Sequence, residues 1–78
     1  MPTALTEKGY RFFFYSNENE EPIHVHVEKA GAEGKVWLEP DIKIAYMNRF
    51  TTKEVRQIMQ IISAKIVILK QKWNEHFA

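Results

Sequence analysis

The run Glu21-Pro22-Ile23-His24-Val25-His26-Val27-Glu28 constrains this chain more than any other feature, because its β-branched residues fall at every second position. A strand sends successive side chains to opposite faces. Ile23, Val25 and Val27 therefore share one face, and His24, His26 and Glu28 share the other. A fold built on such a strand must cover the aliphatic face, which makes the imidazole face the place to look for a site.

The neighbouring segments supply partners for it. Tyr10-Arg11-Phe12-Phe13-Phe14-Tyr15 reads as a strand, and the polar stretch Ser16-Asn17-Glu18-Asn19-Glu20-Glu21 as a solvated loop. Turn glycines sit in Ala30-Gly31-Ala32-Glu33-Gly34, after which Val36 and Leu38 alternate with Lys35, Trp37 and Glu39. Residues 23–29 and 35–39 are thus expected to form an antiparallel hairpin. Residues 42–47 alternate again, as a short edge strand or an irregular crossing.

Phe50-Thr51-Thr52-Lys53-Glu54-Val55 has the form of a helix start, with Thr51 as cap, Glu54 completing a capping box and Phe50 stapled onto Val55. Val55, Met59, Ile62, Ile66, Leu69, Trp73 and His76 or Phe77 then recur at steps of four and three. That spacing predicts one amphipathic helix of about 25 residues, roughly 38 Å long. Ile61, Ala64 and Ile68 lie well off the stripe and Val67 falls on the polar side. A second apolar stripe marks burial against another chain, the alternative being a few tolerated surface apolars. Ile61, Ala64 and Ile68 are therefore candidates for an oligomer interface, that of a homodimer included.

These elements predict an α+β fold: a small antiparallel sheet of three to four strands with one long C-terminal helix packed on one face, as a single domain over residues 1–78. A chain of 78 residues is near the size at which one core only just offsets chain entropy, and a hydrophobic fraction of 45% argues against disorder. The absence of cysteine excludes disulfides and thiolate chemistry. The opening Met1-Pro2-Thr3-Ala4 lacks the regions of a signal peptide, and no apolar run is long enough to span a bilayer, so a cytoplasmic location away from the membrane is expected. Net charge is only +1, yet it is unevenly placed. Residues 1–41 hold four Lys or Arg against eight Asp or Glu, a balance of −4, and residues 42–78 hold seven against two, a balance of +5. The basic half suits phosphate or an acidic partner, unless its lysines serve only to keep a surface helix soluble.

If the helix covers one sheet face, Phe12, Phe14, Val25, Val27, Val36 and Leu38 point inward. Arg11, Phe13, Tyr15, His24, His26, Glu28, Lys35, Trp37 and Glu39 then point outward. Aromatic rings flanked by cations on a sheet can stack bases and hold phosphate; the same rings can equally bury one another in a dimer or against a loop. Three readings compete for the histidines. His24 and His26 can act as acid and base in metal-independent RNA cleavage, with Arg11 or Lys35 stabilising charge on phosphate. With Glu28 or His76 they can bind a divalent metal. Or they are structural, donating to carboxylates such as Glu39 and fixing the hairpin register. His76 itself, in the last helical turn, suits the helix dipole, Trp73 is most simply core, and no cofactor is called for.

The pieces Met1-Pro2-Thr3, Arg11-Phe12-Phe13-Phe14-Tyr15-Ser16-Asn17-Glu18, Glu21-Pro22-Ile23-His24-Val25-His26-Val27-Glu28-Lys29, Val36-Trp37-Leu38-Glu39-Pro40 and Trp73-Asn74-Glu75-His76-Phe77 together resemble the small bacterial family known as domain of unknown function 4160. The pattern of that family usually reads Pro-Pro-His-hydrophobic-His, so Ile23 stands where a second proline is common. The resemblance implies a short bacterial protein often encoded beside another small gene, as in toxin–antitoxin pairs. It supports His24 and His26 as site candidates and a protein from the neighbouring gene as partner, with RNA as the other candidate target. It assigns no activity.

Overall fold

The computed structural model describes residues 3–15 and 20–77, so Met1, Pro2, Ala78 and most of the expected loop, at residues 16–19, lie outside the described residues. Five antiparallel strands follow one another in sheet order: β1 (Thr3–Glu7), β2 (Tyr10–Phe13), β3 (His24–Lys29), β4 (Ala32–Trp37) and β5 (Lys43–Asn48). Two helices follow, α1 (Thr52–Ala64) and α2 (Ile66–Phe77). The α+β class is as expected, but the sheet has five strands rather than three or four, and two helices replace the single long one.

Each sequence-adjacent strand pair is short enough to close with a tight turn where the residues permit it. Ala30 and Gly31 both have positive φ, 49° and 84°, which is the backbone of the two-residue turn that matches strand twist. Gly31 supplies that conformation without steric cost, and β3 and β4 pair in unbroken register from His24↔Trp37 to Lys29↔Ala32. Lys8 and Gly9 repeat the device between β1 and β2. Gly34, expected in the turn, lies instead within β4, where a Cβ would come within 3.0 Å of the Tyr46 carbonyl oxygen and against the Met47 sulfur. Its missing side chain lets β5 and the Met47 side chain close over the ladder.

Register sorts the residues into two faces. Leu5, Phe12, Val27, Gly34 and Met47 form one row across the sheet, and Val25, Val36 and Ile44 a second beside it. This face meets the helices, and Phe12, Phe14, Val25, Val27, Val36 and Leu38 are all buried there with Ile58, Ile61, Ile62, Leu69 and Trp73. The inward set read from alternation is the sheet half of the core. Both edge strands carry a register irregularity, between Thr3 and Leu5 in β1 and opposite Lys35 and Val36 in β5. Such bulges blunt an edge against addition of a further strand.

The helix start matches its sequence signature. Thr51 Oγ1 accepts from the Glu54 amide at 3.1 Å while Glu54 Oε1 accepts from the Thr51 amide at 2.9 Å, and Phe50 packs against the core with its ring 6.1 Å from that of Tyr10. The helix then breaks at Lys65, whose amide is shared between the carbonyls of Ile61 (2.9 Å) and Ile62 (3.2 Å) and whose φ and ψ are −110° and 17°. The break re-aims the buried stripe, which runs through Ile58, Ile61 and Ile62 in α1 and through Leu69 and Trp73 in α2. Ile61 is therefore core, not part of an exposed second stripe; Ala64, Val67 and Ile68 do remain exposed. Among the described residues no helix is long and apolar enough to cross a membrane.

Tyr10 joins strand to helix by donating its hydroxyl to Gln57 Oε1 at 2.8 Å. Burial, reinforced by the charge of Glu54, pushes that hydroxyl above its usual value near 10. A raised folded-state value means that the stabilisation is complete below about pH 10 and is lost as pH rises through the folded value. Tyr10→Phe is expected to cost about 1 kcal/mol at neutral pH through the lost hydrogen bond. Urea titrations of both proteins across the alkaline range should show that gap closing as the wild type weakens.

Candidate functional site

The face away from the helices carries three cross-strand rows: Arg11, Glu28, Glu33 and Asn48; then Phe13, His26, Lys35 and Tyr46; then His24, Trp37 and Lys43. Every sequence-predicted site residue of the sheet lies on this face or, for Tyr15, just beyond the end of β2. Of the two readings of this face, an open platform or rings that bury one another, the burial favours the second for the histidines. His24 is 0% exposed and His26 5% exposed, and Phe13 beside them is also buried. Alternation correctly gave the face, but the face is covered.

Aromatic rings do the covering. His26 stacks on Phe13 at 5.5 Å and takes the edge of Tyr15 at 4.6 Å. His24 meets His26 at 5.2 Å, Trp37 at 5.3 Å and, from α2, Trp73 at 5.0 Å. Trp73 in turn contacts Phe14 at 5.4 Å and Phe77 at 4.3 Å. The β2 ladder ends at Phe13↔His26, so no paired strand lies beside His24 on that side and the helix can reach its ring. The result is a continuous run of rings from the sheet face into α2, in which tilted and edge-on pairs predominate. His76 extends it, as the basic group of the last helical turn, with its ring 6.5 Å from Phe14.

His24 is fixed by its own approach loop. Its Nδ1 lies 2.9 Å from the Pro22 carbonyl oxygen, and because a carbonyl only accepts, Nδ1 carries the hydrogen. That donor of His24 is thus turned to the Pro22 carbonyl and not to Glu39. Glu39 pairs with Lys70 of α2 at 3.5 Å.

Two cations of the face, Arg11 and Lys35, are likewise occupied, while Lys43 at its edge is exposed. Arg11 Nη1 meets Glu28 Oε1 at 2.7 Å, its Nε donates to Thr3 Oγ1 at 2.8 Å, and its guanidinium lies 4.5 Å over the Phe13 ring. Lys35 Nζ meets Glu21 Oε1 at 2.8 Å and sits 4.3 Å over the Trp37 ring. Glu28, a proposed metal ligand, is turned to Arg11, and among the described residues no three of His, Cys, Asp and Glu come together as a metal site. Among the described residues the H-x-H pair has no third ligand gathered beside it.

The rings of this face that reach solvent are Tyr15, Tyr46 and part of Trp37, beside exposed Glu33, Lys43 and Asn48. Tyr46 was not read as a site residue; its signal was its place on the outward face of a fourth alternating segment. Beside Trp37 opens a cleft of about 370 Å³ lined by Pro22, Glu39, Pro40, Asp41 and Lys43.

Fold and site define a small sheet-and-helix protein whose outer sheet face is a ring cluster supported by two buried histidines. The chain belongs to the family described as Domain of unknown function (DUF4160), whose profile matches residues 9–74. That span begins after β1 and takes in both histidines, Trp37 and Trp73. No curated protein and no solved structure gives a significant match.

Proposed function

We propose that this chain is a binding protein, not a nuclease: one member of a two-protein module of toxin–antitoxin type that grips its counterpart through the aromatic face over His24 and His26. The observation that carries this reading is the burial of both imidazoles in a ring cluster of which Tyr15 and Trp37 reach the surface. A general acid and base must touch the reacting atoms, and His24 touches Trp37, His26 and Trp73 instead. Its role is to hold the platform.

The electrostatics favour a protein over RNA as the occupant. Nucleic-acid affinity comes mainly from cations that displace counterions from phosphate, whereas Arg11 and Lys35 are already paired with Glu28 and Glu21. Tyr, Trp and Arg on a charge-balanced surface are the composition of a protein interface.

The test is an NMR titration of the labelled chain with the product of the neighbouring gene and, separately, with a short mixed-sequence RNA at low salt. The protein should move the Trp37 indole signal and the amides of Tyr15, Lys43 and Tyr46, while RNA leaves them still. Trp37→Ala should weaken the complex about tenfold to a hundredfold without changing the circular dichroism spectrum. RNA-induced shifts that fade with salt would replace this reading with a phosphate-binding one. Cleavage of RNA in EDTA, abolished by His26→Gln in a folded variant, would restore the enzyme.

A further inference from the structure

A second surface, at the α1–α2 junction, has no part in that reading. Across the α1–α2 junction the sequence places Ile66-Val67-Ile68 in consecutive helical positions. Three β-branched residues in a row are a poor choice for a helix, since each loses side-chain freedom against the preceding turn. The core explains only Ile66, which packs against it. Val67 is 65% exposed and Ile68 40% exposed, and Ala64 beside them is exposed too. Ala64 closes α1 while Val67 and Ile68 lie in the first turn of α2, so the three exposed apolar residues flank the junction. A shallow groove lined by Arg56, Met59, Gln60, Ser63 and Ala64 leads into it along α1.

Charge identifies the occupant. From Val55 to Asn74 there is no Asp or Glu, while Arg56, Lys65, Lys70 and Lys72 are all present. Lys70 is paired with Glu39, which leaves a positive surround for an aliphatic strip. A second copy docked by a two-fold axis would set these cations against themselves. A nucleic acid would want rings to stack on, and the patch is aliphatic. An interfacial membrane helix uses Trp, Phe or Leu on its buried face, whereas Leu69 and Trp73 are committed to the core.

We infer that the α1–α2 junction docks an acidic amphipathic segment of another protein, its aliphatic side chains set against Ala64, Val67 and Ile68 and its carboxylates against Arg56, Lys65 and Lys72. Helix-in-groove recognition of this kind combines apolar anchors with flanking charge.

The experiment titrates the full labelled chain with a synthetic helix-forming peptide bearing leucines at i, i+3 and i+4 and glutamates on both flanks. Its amide shifts should centre on Ala64, Val67, Ile68 and Gln71 and leave the Trp37 indole still, which separates this surface from the aromatic face. Affinity should fall as salt rises. Val67→Asp with Ile68→Asp should lower it at least about tenfold; both positions are exposed, and an unchanged circular dichroism spectrum verifies the fold. Equal binding by a peptide with serine in place of leucine would overturn the inference, since charge alone would then suffice. So would shifts at these residues produced by phosphatidylglycerol vesicles or single-stranded RNA but not by the peptide, or a doubling of mass in solution that Val67→Asp abolishes.

Discussion

Replacing His24 and His26 together with alanine is expected to unfold the chain, not to leave a folded and inactive protein. Both rings are buried, and each is packed against at least three others. Truncating a large buried side chain to alanine costs about 2–5 kcal/mol through lost contacts and the cavity left behind. The two sites touch, so their costs will not add simply. Even so, the pair should lose roughly 4–7 kcal/mol, and a domain this small has a total stability near the lower end of about 5–15 kcal/mol. His24→Ala alone also removes the ring donor to the Pro22 carbonyl. Thermal unfolding followed by circular dichroism decides the matter. A drop of at least about 15 °C, or no cooperative transition, is the expected result. A double variant that melts within a few degrees of wild type would mean the rings are dispensable to the fold, and the reactive role for the imidazoles would have to be taken up again.

How much of this was readable from residues alone depends on what kind of signal each feature leaves. Period-two alternation places side chains on faces, and it placed Phe12, Val25, Val27 and Val36 in the core, where they are. It cannot say what lies over a face. It sends His24 and His26 to the outer face but leaves open whether that face is bare, because the covering rings come from Tyr15, Trp37 and Trp73, on other elements. The capping box at Thr51 and Glu54 is a local hydrogen-bond pattern written in four residues, so it was fully legible. β1 was not. Thr3-Ala4-Leu5-Thr6-Glu7 has one large apolar residue and no alternation, and it is a strand because the Lys8–Gly9 turn folds it back along β2. The helix break at Lys65 left no mark either, since neither Gly nor Pro is present and the apolar steps run on through it. Reading a straight helix through that break turned Ile61 outward, when the bend lets Ile61 and Leu69 face the same core.

Trp73→Ala is the other large effect, and its consequence should be uneven across the molecule. Trp73 is buried and meets rings of Phe14, His24 and Phe77 at 5.4, 5.0 and 4.3 Å. Loss of a buried tryptophan costs about 3–5 kcal/mol. Leu69 is the other buried residue of α2, the helix is joined to α1 at an existing break, and what remains to hold it is the half-buried Ile66 and Phe77 and the partly exposed Lys70–Glu39 pair. Proteins open in cooperative pieces whose stability follows their buried contacts. The expected result is therefore detachment of α2 before the sheet melts, with amides of residues 66–77 losing protection from hydrogen exchange while those of β2 to β4 retain most of theirs. The wild-type His24 ring should resist diethyl pyrocarbonate, and in Trp73→Ala it should react, because the ring that seals it has gone. Trp73→Phe, which keeps an aromatic surface, should recover most of the protection. Retained exchange protection in α2 together with an unreactive His24 in Trp73→Ala would mean that the helix is anchored elsewhere, and that the ring run from sheet to helix does not carry the stability assigned to it.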